Sequence, residues 1–280
     1  MSAQWTLDDV PWDKFDPSKV DQDLVKVVKA ASMVESNGRD YAVYLCNVFE
    51  DDPDFQQAAK DWAEEEVQHG IALGRWAKMA DPSFDYDQCF REFREGFKID
   101  TSADASIRGS RTGELIARCM VEVGTSSYYT ALADAAEEPV LKVVCRKIAA
   151  DELRHYRLFY KNMKRYLERE QLTLPRRMWV AVSRITETED DELAYAYFAA
   201  NRDSQSYDRK RCGEEYIRRA YALYRPRHLE RAMAMVFKAV GLDPQGRLSR
   251  TMSRGASWFM QHRVQKLAKS AGRVPERAAA

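Results

Sequence analysis

Two tetrapeptides, Glu66-Val67-Gln68-His69 and Glu152-Leu153-Arg154-His155, recur in this chain, with Glu66 as far from Glu152 as His69 is from His155. On a helix, residues three apart share a face, so each tetrapeptide presents a carboxylate and an imidazole to one point. A chain that does this twice is constrained to place both motifs on helices and to find partners for both faces.

The surrounding pattern agrees. Leu24, Val27, Val28, Ala31 and Val34 fall at helical spacing, as do Leu115, Ala117, Cys119, Val121 and Val123 with their neighbours. No run alternates with period two between hairpin turns, so strands are not expected. The spacing predicts long helices over about 21–50, 54–79, 110–136 and 139–171. Their stops are Asp51-Asp52-Pro53-Asp54, Asp81-Pro82 and Glu137-Glu138-Pro139, where proline cannot continue a helix and Asp can cap the next one. Residues 81–107 read as a long connection with a helix through Cys89–Phe97. Further helices are expected over about 176–200, 208–223, 226–240 and 246–270, with the last residues frayed. Two helical hairpins joined by one long crossover make an all-α chain with the topology of a ferritin-like four-helix bundle, plus additional C-terminal helices. The expected division is an N-terminal extension (1–20), the bundle (21–171) and additional helices with a basic C-terminal region (172–280).

Each hairpin's first helix then has a carboxylate at the matching height. Counted from the turn at Asp52, Glu35 stands as far back along the chain as His69 stands forward, and Glu66 is one helical turn nearer the turn. Counted from the turn at Glu138, Glu122 stands nearly as far back as His155 stands forward, and Glu152 is again one helical turn nearer. Equal distances along antiparallel helices mean equal height, so Glu35, Glu66, His69, Glu122, Glu152 and His155 can converge. Four carboxylates and two imidazoles are the ligand set of a di-iron or di-manganese carboxylate centre. Hard carboxylates and borderline imidazoles hold Fe(II) and leave positions open for dioxygen. The four negative charges balance two divalent ions, so the cluster can be buried. Solvated surface residues are the alternative, but Glu35 in Ala-Ser-Met-Val-Glu-Ser and Glu122 in Met-Val-Glu-Val-Gly sit in apolar settings.

Composition excludes other classes. With 45% hydrophobic residues and zero net charge, the chain is not a disordered one, and it carries no overall bias toward nucleic acid. The longest apolar runs, such as Met178-Trp179-Val180-Ala181-Val182, are too short to span a membrane. The N-terminus shows neither the basic nor the apolar region of a secretory signal. Cys46, Cys89, Cys119, Cys145 and Cys212 are odd in number and form no Cys-x-x-Cys. They read as reduced, buried thiols in a cytoplasmic protein. The zero charge is not uniform: residues 1–200 hold 26 Lys+Arg against 37 Asp+Glu, and residues 201–280 hold 18 against 7.

At the level of longer motifs, Trp62-Ala63-Glu64-Glu65-Glu66-Val67-Gln68-His69-Gly70 and Ile148-Ala149-Ala150-Asp151-Glu152-Leu153-Arg154-His155 resemble the two metal motifs of the soluble acyl-carrier-protein desaturases. These are ferritin-like di-iron enzymes that use dioxygen to insert a double bond into an acyl thioester. The resemblance covers roughly residues 20–170 and implies two iron ions, with manganese in one position as a variant. It implies a fatty-acyl substrate on an acyl carrier protein, a ferredoxin-type electron donor and a homodimer. It also implies a hydroxyl three residues after the third-helix Glu, here Thr125, placed to relay a proton at the oxygen-binding face; bonding back to a helix carbonyl is the simpler role. Ligating histidines usually give their other N–H to a carboxylate, and the resemblance implies Asp151 for His69 and Glu65 for His155. Solvated helix-face charges are the alternative.

Other readings keep the centre and change the reaction. A hydroxylase or N-oxygenase would act on a non-lipid substrate; some ferritin-like N-oxygenases carry an additional His ligand, but His228 shows no matching spacing and is expected at the surface. A ferroxidase or peroxide-scavenging ferritin-like protein would not need the residues after 170. Tyr128, Tyr129, Tyr156 and Tyr160 are expected in the core rather than as radical carriers. The acidic run 187–192 reads as a solvated helix start. Arg247, Arg250, Arg254, Arg263, Lys266, Lys269, Arg273 and Arg277, against Glu276 alone, suit an acidic carrier protein or an anionic membrane surface, or packing against the acidic part of the chain.

Overall fold

The computed structural model describes residues 5–187, 191–201 and 206–270. All extended regular structure among them is helical, as expected for an all-α, ferritin-like chain. The helices are α1 (Gln22–Glu35), α2 (Gly38–Val48), α3 (Pro53–Ala80), α4 (Tyr86–Gly96), α5 (Arg111–Ala135), α6 (Pro139–Glu170), α7 (Leu174–Thr186), α8 (Asp191–Ala200), α9 (Arg209–Tyr221), α10 (Pro226–Val240) and α11 (Arg247–Ser270). None of the described helices is long and apolar enough to cross a membrane.

Two expected helices are each two. The helix expected over 21–50 breaks at Ser36-Asn37, between α1 and α2. The Ser36 hydroxyl donates back to the Ser32 carbonyl at 2.7 Å, a bond that competes with helix continuation. Gly38 then brings α2 against α3: a Cβ there would lie 2.7 Å from Cβ of Glu66. The helix expected over 176–200 is α7 and α8. Of the acidic run between them, residues 188–190 lie outside the described residues. Glu192 is not solvated: it is buried and accepts the Tyr41 hydroxyl at 2.8 Å. Arg273, Glu276 and Arg277 of the basic stretch also lie outside the described residues.

The chain forms two compact units. The first holds residues 1–106, 132–148 and 189–213. In it α1 packs on α3 and α8, α2 on α3, and α4 on α8. The helix α3 starts on Asp52, whose carboxylate accepts the Phe55 amide, followed by Pro53 at the first helical position. Its buried residues Phe55, Ala59, Trp62, Ala63, Glu66, His69, Gly70, Leu73 and Ala77 make one stripe at helical period, and the two polar members stand in its middle. Close helix approach is built in at Gly70, where a Cβ would lie 2.0 Å from the Ser36 hydroxyl oxygen.

Glu138, immediately before α6, is the densest polar knot of this unit. Its carboxylate is 1% exposed. It accepts the amides of Val140 at 3.2 Å and Leu141 at 2.7 Å, the Trp76 indole N–H at 2.7 Å and the Asp16 amide at 3.1 Å. One side chain thus caps α6 and ties it to α3 and to the N-terminal segment.

Lys29 and Asp81 form an ion pair at 2.6 Å between α1 and the end of α3. The Lys29 ammonium, with Ser83, holds the Asp81 carboxyl below its usual value of 3.8. A depressed carboxylate contributes stability above its unfolded pKa and loses it as pH falls through the folded value. Asp81→Asn should therefore lower the unfolding free energy by about 1–2 kcal/mol at neutral pH, a modest figure because 32% of the Asp81 side chain is open to screening water. Thermal melts across pH should show the gap to wild type narrowing below pH 3.8; a gap constant with pH would contradict this account.

The second unit holds residues 107–131, 149–188 and 214–280. In it α10 packs on α11 and α7. The start of α5 is capped from afar, as the Glu170 carboxylate accepts the amides of Arg111 at 3.2 Å and Thr112 at 2.8 Å. Gly241 ends α10 with φ +85°, a left-handed residue that glycine adopts without strain.

Candidate metal centre

In the first unit, Glu35 closes α1, and Glu66 and His69 stand one turn apart on α3. They are 6%, 7% and 0% exposed. His69 Nδ1 lies 3.7 Å from Glu35 Oε2 and 3.8 Å from Glu66 Oε2. In the second unit, Glu122 stands on α5, and Glu152 and His155 on α6, all at 3% exposure or less. His155 Nδ1 lies 3.7 Å from Glu122 Oε2 and 3.8 Å from Glu152 Oε2. The geometry of one triad is repeated by the other. The supporting helices repeat too: α3 begins at Pro53 and α6 at Pro139, so Glu66 and Glu152 hold the same position along their helices.

Both triads have the donor chemistry and spacing of a metal site. Within each, one atom per residue can be chosen so that all lie within 4.8 Å of one another. The nitrogen–oxygen separations are too long for hydrogen bonds. Donors about 2.1 Å from a shared ion stand roughly 3–4 Å apart, which is the spacing found. Two buried carboxylates per triad also carry the charge of one divalent cation, and without such a cation their burial is costly.

Thr125 lies one turn beyond Glu122 on α5. Its hydroxyl donates to Glu152 Oε2 at 2.7 Å, and the helix carbonyls of Val121 and Glu122 are farther, at 3.2 and 3.3 Å. Its best acceptor is therefore the carboxylate rather than the backbone. Asp151 is buried and accepts from Arg154 at 2.8 Å; Glu65 is half-buried.

Several neighbours correct or extend the sequence reading. His228 is not a surface residue: it is 4% exposed. Its Nδ1 accepts the Arg225 amide at 3.1 Å, closing the first turn of α10, and it belongs to neither of the groups among the described residues that could hold a metal ion. Trp5, in the segment expected as an N-terminal extension, is buried with its ring parallel to that of His69, centroids 6.1 Å apart. Gln68 donates to the Trp5 carbonyl at 2.9 Å. No local pattern announces this contact, because Trp5 and Gln68 are 63 residues apart. Tyr128, Tyr129 and Tyr156 are buried. Burial pushes the Tyr156 hydroxyl well above its ordinary pKa, and it donates to the Met235 carbonyl at 2.9 Å. Burial, with the Glu122 charge, likewise pushes the Cys119 thiol up, and burial alone does so for Cys145; both are neutral packing residues. All five cysteines are free thiols.

A comparison with curated protein sequences finds no match. The family described as Fatty acid desaturase matches residues 40–189, more than half of the chain. That span contains Glu66, His69, Thr125, Glu122, Glu152 and His155, and leaves Glu35 and the helices from α8 onward outside it. With its helical fold and its two buried carboxylate–imidazole triads, the chain belongs to the fatty acid desaturase family.

Proposed function

We propose that this protein is a dioxygen-dependent oxidoreductase that holds two iron ions and desaturates a fatty-acyl thioester. The observation that carries this reading is the repeated buried triad in a chain of the fatty acid desaturase family. Glu35, Glu66 and His69 would hold one ion, and Glu122, Glu152 and His155 the other. The same oxygen and nitrogen donors are compatible with manganese in one position. When bound, the metal pair supplies the redox chemistry that activates dioxygen and takes hydrogen from an unactivated C–H bond. In the net reaction a CH2–CH2 pair, dioxygen, two electrons and two protons give a CH=CH bond and two waters. The electrons come from an external donor of the ferredoxin type.

The chain's own residues set the conditions. Each proposed ligand triad has its members at 7% exposure or less, a setting that keeps bulk water from the ion it would hold. Thr125 holds a proton on Oγ1 beside Glu152, where a hydroxyl can both give and accept a proton in turn. Glu65 and Asp151 belong to the proposal as carboxylates that orient the ligand imidazoles, and the burial of Asp151 supports that role. Delivery of the substrate on an acyl carrier protein, and a homodimeric assembly, complete the reading.

The test is a product analysis. Iron-loaded protein, reduced without oxygen, is mixed with an acyl-carrier thioester and then with dioxygen. The expected product is an acyl chain lighter by two hydrogens. A chain heavier by one oxygen would replace desaturation with hydroxylation, and an unchanged chain would overturn the acyl-substrate reading.

A further inference from the structure

In the second unit, the helix α11 carries an exposed apolar stripe edged by arginines. The helix is 24 residues long, about 36 Å. Ser249, Ser253 and Val264 are buried on its inner side, and α11 packs on α10. Leu248, Met252, Gly255 and Phe259 advance by four, three and four residues, which keeps them on one line along a helix. Leu248, Met252, Phe259 and the adjoining Trp258 are all exposed, Trp258 by 67%. A Cβ added at Gly255 would meet nothing within 4 Å, so the stripe is open at its middle. Trp258 lies parallel to His262, ring centroids 5.4 Å apart, which adds a flat aromatic edge.

Charge runs beside the stripe. Arg247, Arg250 and Arg254, also exposed, advance by three and four residues and line one edge of it. Exposed Lys266 and Lys269 continue the positive charge toward the C-terminal end. In all, the helix holds six Lys or Arg and no Asp or Glu. The combination recurs on α7, which also packs on α10: Met178, Trp179 and Val182 are exposed, with three Arg and no Asp or Glu on the helix.

We infer that α11 is a contact surface for an anionic lipid bilayer, lying in the plane of the interface. A helix that combines a cationic edge with exposed Trp, Phe and Leu is held there by apolar burial and by attraction to anionic headgroups together, and tryptophan favours the headgroup level. A second copy of the chain fits poorly, since a two-fold contact sets each patch against itself and would bring like charges together. A nucleic acid would leave Leu248 and Met252 without apolar cover. A folded acidic partner is positioned by attractive and repulsive elements together, and a face of one sign supplies only attraction. A bilayer needs no such register. The helix lies beyond the residues matched by the family, and neither the metal pair nor the acyl substrate is needed for this contact.

The test is co-sedimentation with vesicles. The full-length chain, iron-loaded and in parallel iron-free, is centrifuged with vesicles of phosphatidylcholine alone and of phosphatidylcholine and phosphatidylglycerol in equal parts. The expected result in both forms is saturable binding to the anionic vesicles, about tenfold or more tighter than to the neutral ones and weakened by salt. Each cation near such a surface contributes about fivefold. Arg247→Gln, Arg250→Gln and Arg254→Gln combined should therefore cost about a hundredfold, and Lys at the same three positions should keep most of the affinity. Trp258→Ser with Phe259→Ser should cost about tenfold or more. Val43→Ser, at an exposed apolar residue on α2, should change nothing. All of these side chains are exposed, and circular dichroism checks that the variants remain helical. Lack of binding to anionic vesicles, equal binding to neutral ones, or full affinity in the arginine-to-glutamine or the aromatic variant would overturn the proposal. With no vesicle binding, a dimer or a carrier-protein complex that the same variants dissolve would give the face to a second copy or to an acidic protein instead.

Discussion

Glu152→Ala should lower the iron content from about two per chain to one or fewer after loading with Fe(II) under nitrogen and desalting. The variant removes a proposed ligand carboxylate whose Oε2 lies 3.8 Å from His155 Nδ1 and accepts the Thr125 hydroxyl. Loss of a group that merely supports a ligand typically costs 10–100-fold in metal affinity, so loss of the ligand itself should cost at least as much. Glu64→Ala, at a side chain that is 61% exposed on α3, should keep the full complement. Stability should respond with opposite sign in the two states. In the metal-free chain a carboxylate at 1% exposure is a cost without its cation, so the metal-free variant should melt no lower than metal-free wild type. Iron should raise the melting temperature of wild type and do so less in the variant, since a ligand stabilises only the state that binds it. Iron uptake that is unchanged in Glu152→Ala, or well below two in wild type, would end the two-iron proposal.

What could be read from the chain alone divides along a physical line. The helices α3, α5 and α6 were legible to within a residue or two because their ends are local chemistry: Asp52-Pro53, Asp81-Pro82 and Glu138-Pro139 stop and start a helix whatever surrounds them. The triads were legible because a helix converts a spacing of three into a shared face, and because the same spacing occurs twice. The break after Glu35 was not. Ser36-Asn37-Gly38 is a turn-forming triplet inside a run of helical period, and what decides between the two is a tertiary contact, the seating of Gly38 against Glu66. His228 looked exposed because it is flanked by arginines, yet its ring is drawn inward to accept the Arg225 amide. Trp5 carries no local signal at all for its place beside His69. The convergence of the carboxylates and imidazoles was thus written in local periodicity, and its enclosure in contacts between residues far apart in the chain.

Glu138→Ala should be the most destabilising single substitution outside the proposed metal ligands, at about 4 kcal/mol. Its carboxylate is the shared acceptor of four donors from three segments: two amides at the start of α6, the Trp76 indole on α3 and the Asp16 amide. A hydrogen bond to a charged group is worth about 1.5–3 kcal/mol, and removal of one partner leaves the other unsatisfied. Water can re-satisfy some donors in the space left by the side chain, which keeps the total below the sum of four. Loss of a helix cap alone costs about 1 kcal/mol, so the size of the effect separates a simple cap from a tertiary knot. For a chain of this length a loss of that size lowers the melting temperature by about 8–12 °C. Glu138→Gln keeps the shape and one carbonyl acceptor but turns an NH2 toward donors, and should fall between alanine and wild type. The Trp76→Phe variant deletes one donor without orphaning the carboxylate, so it should cost much less than Glu138→Ala. In the double variant the two losses should be less than additive, because both remove the same bond. A loss near 1 kcal/mol for Glu138→Ala, about that of a lone cap, would reduce Glu138 to an ordinary cap. The start of α6, upstream of Glu152 on the same helix, would then be held by its apolar stripe alone.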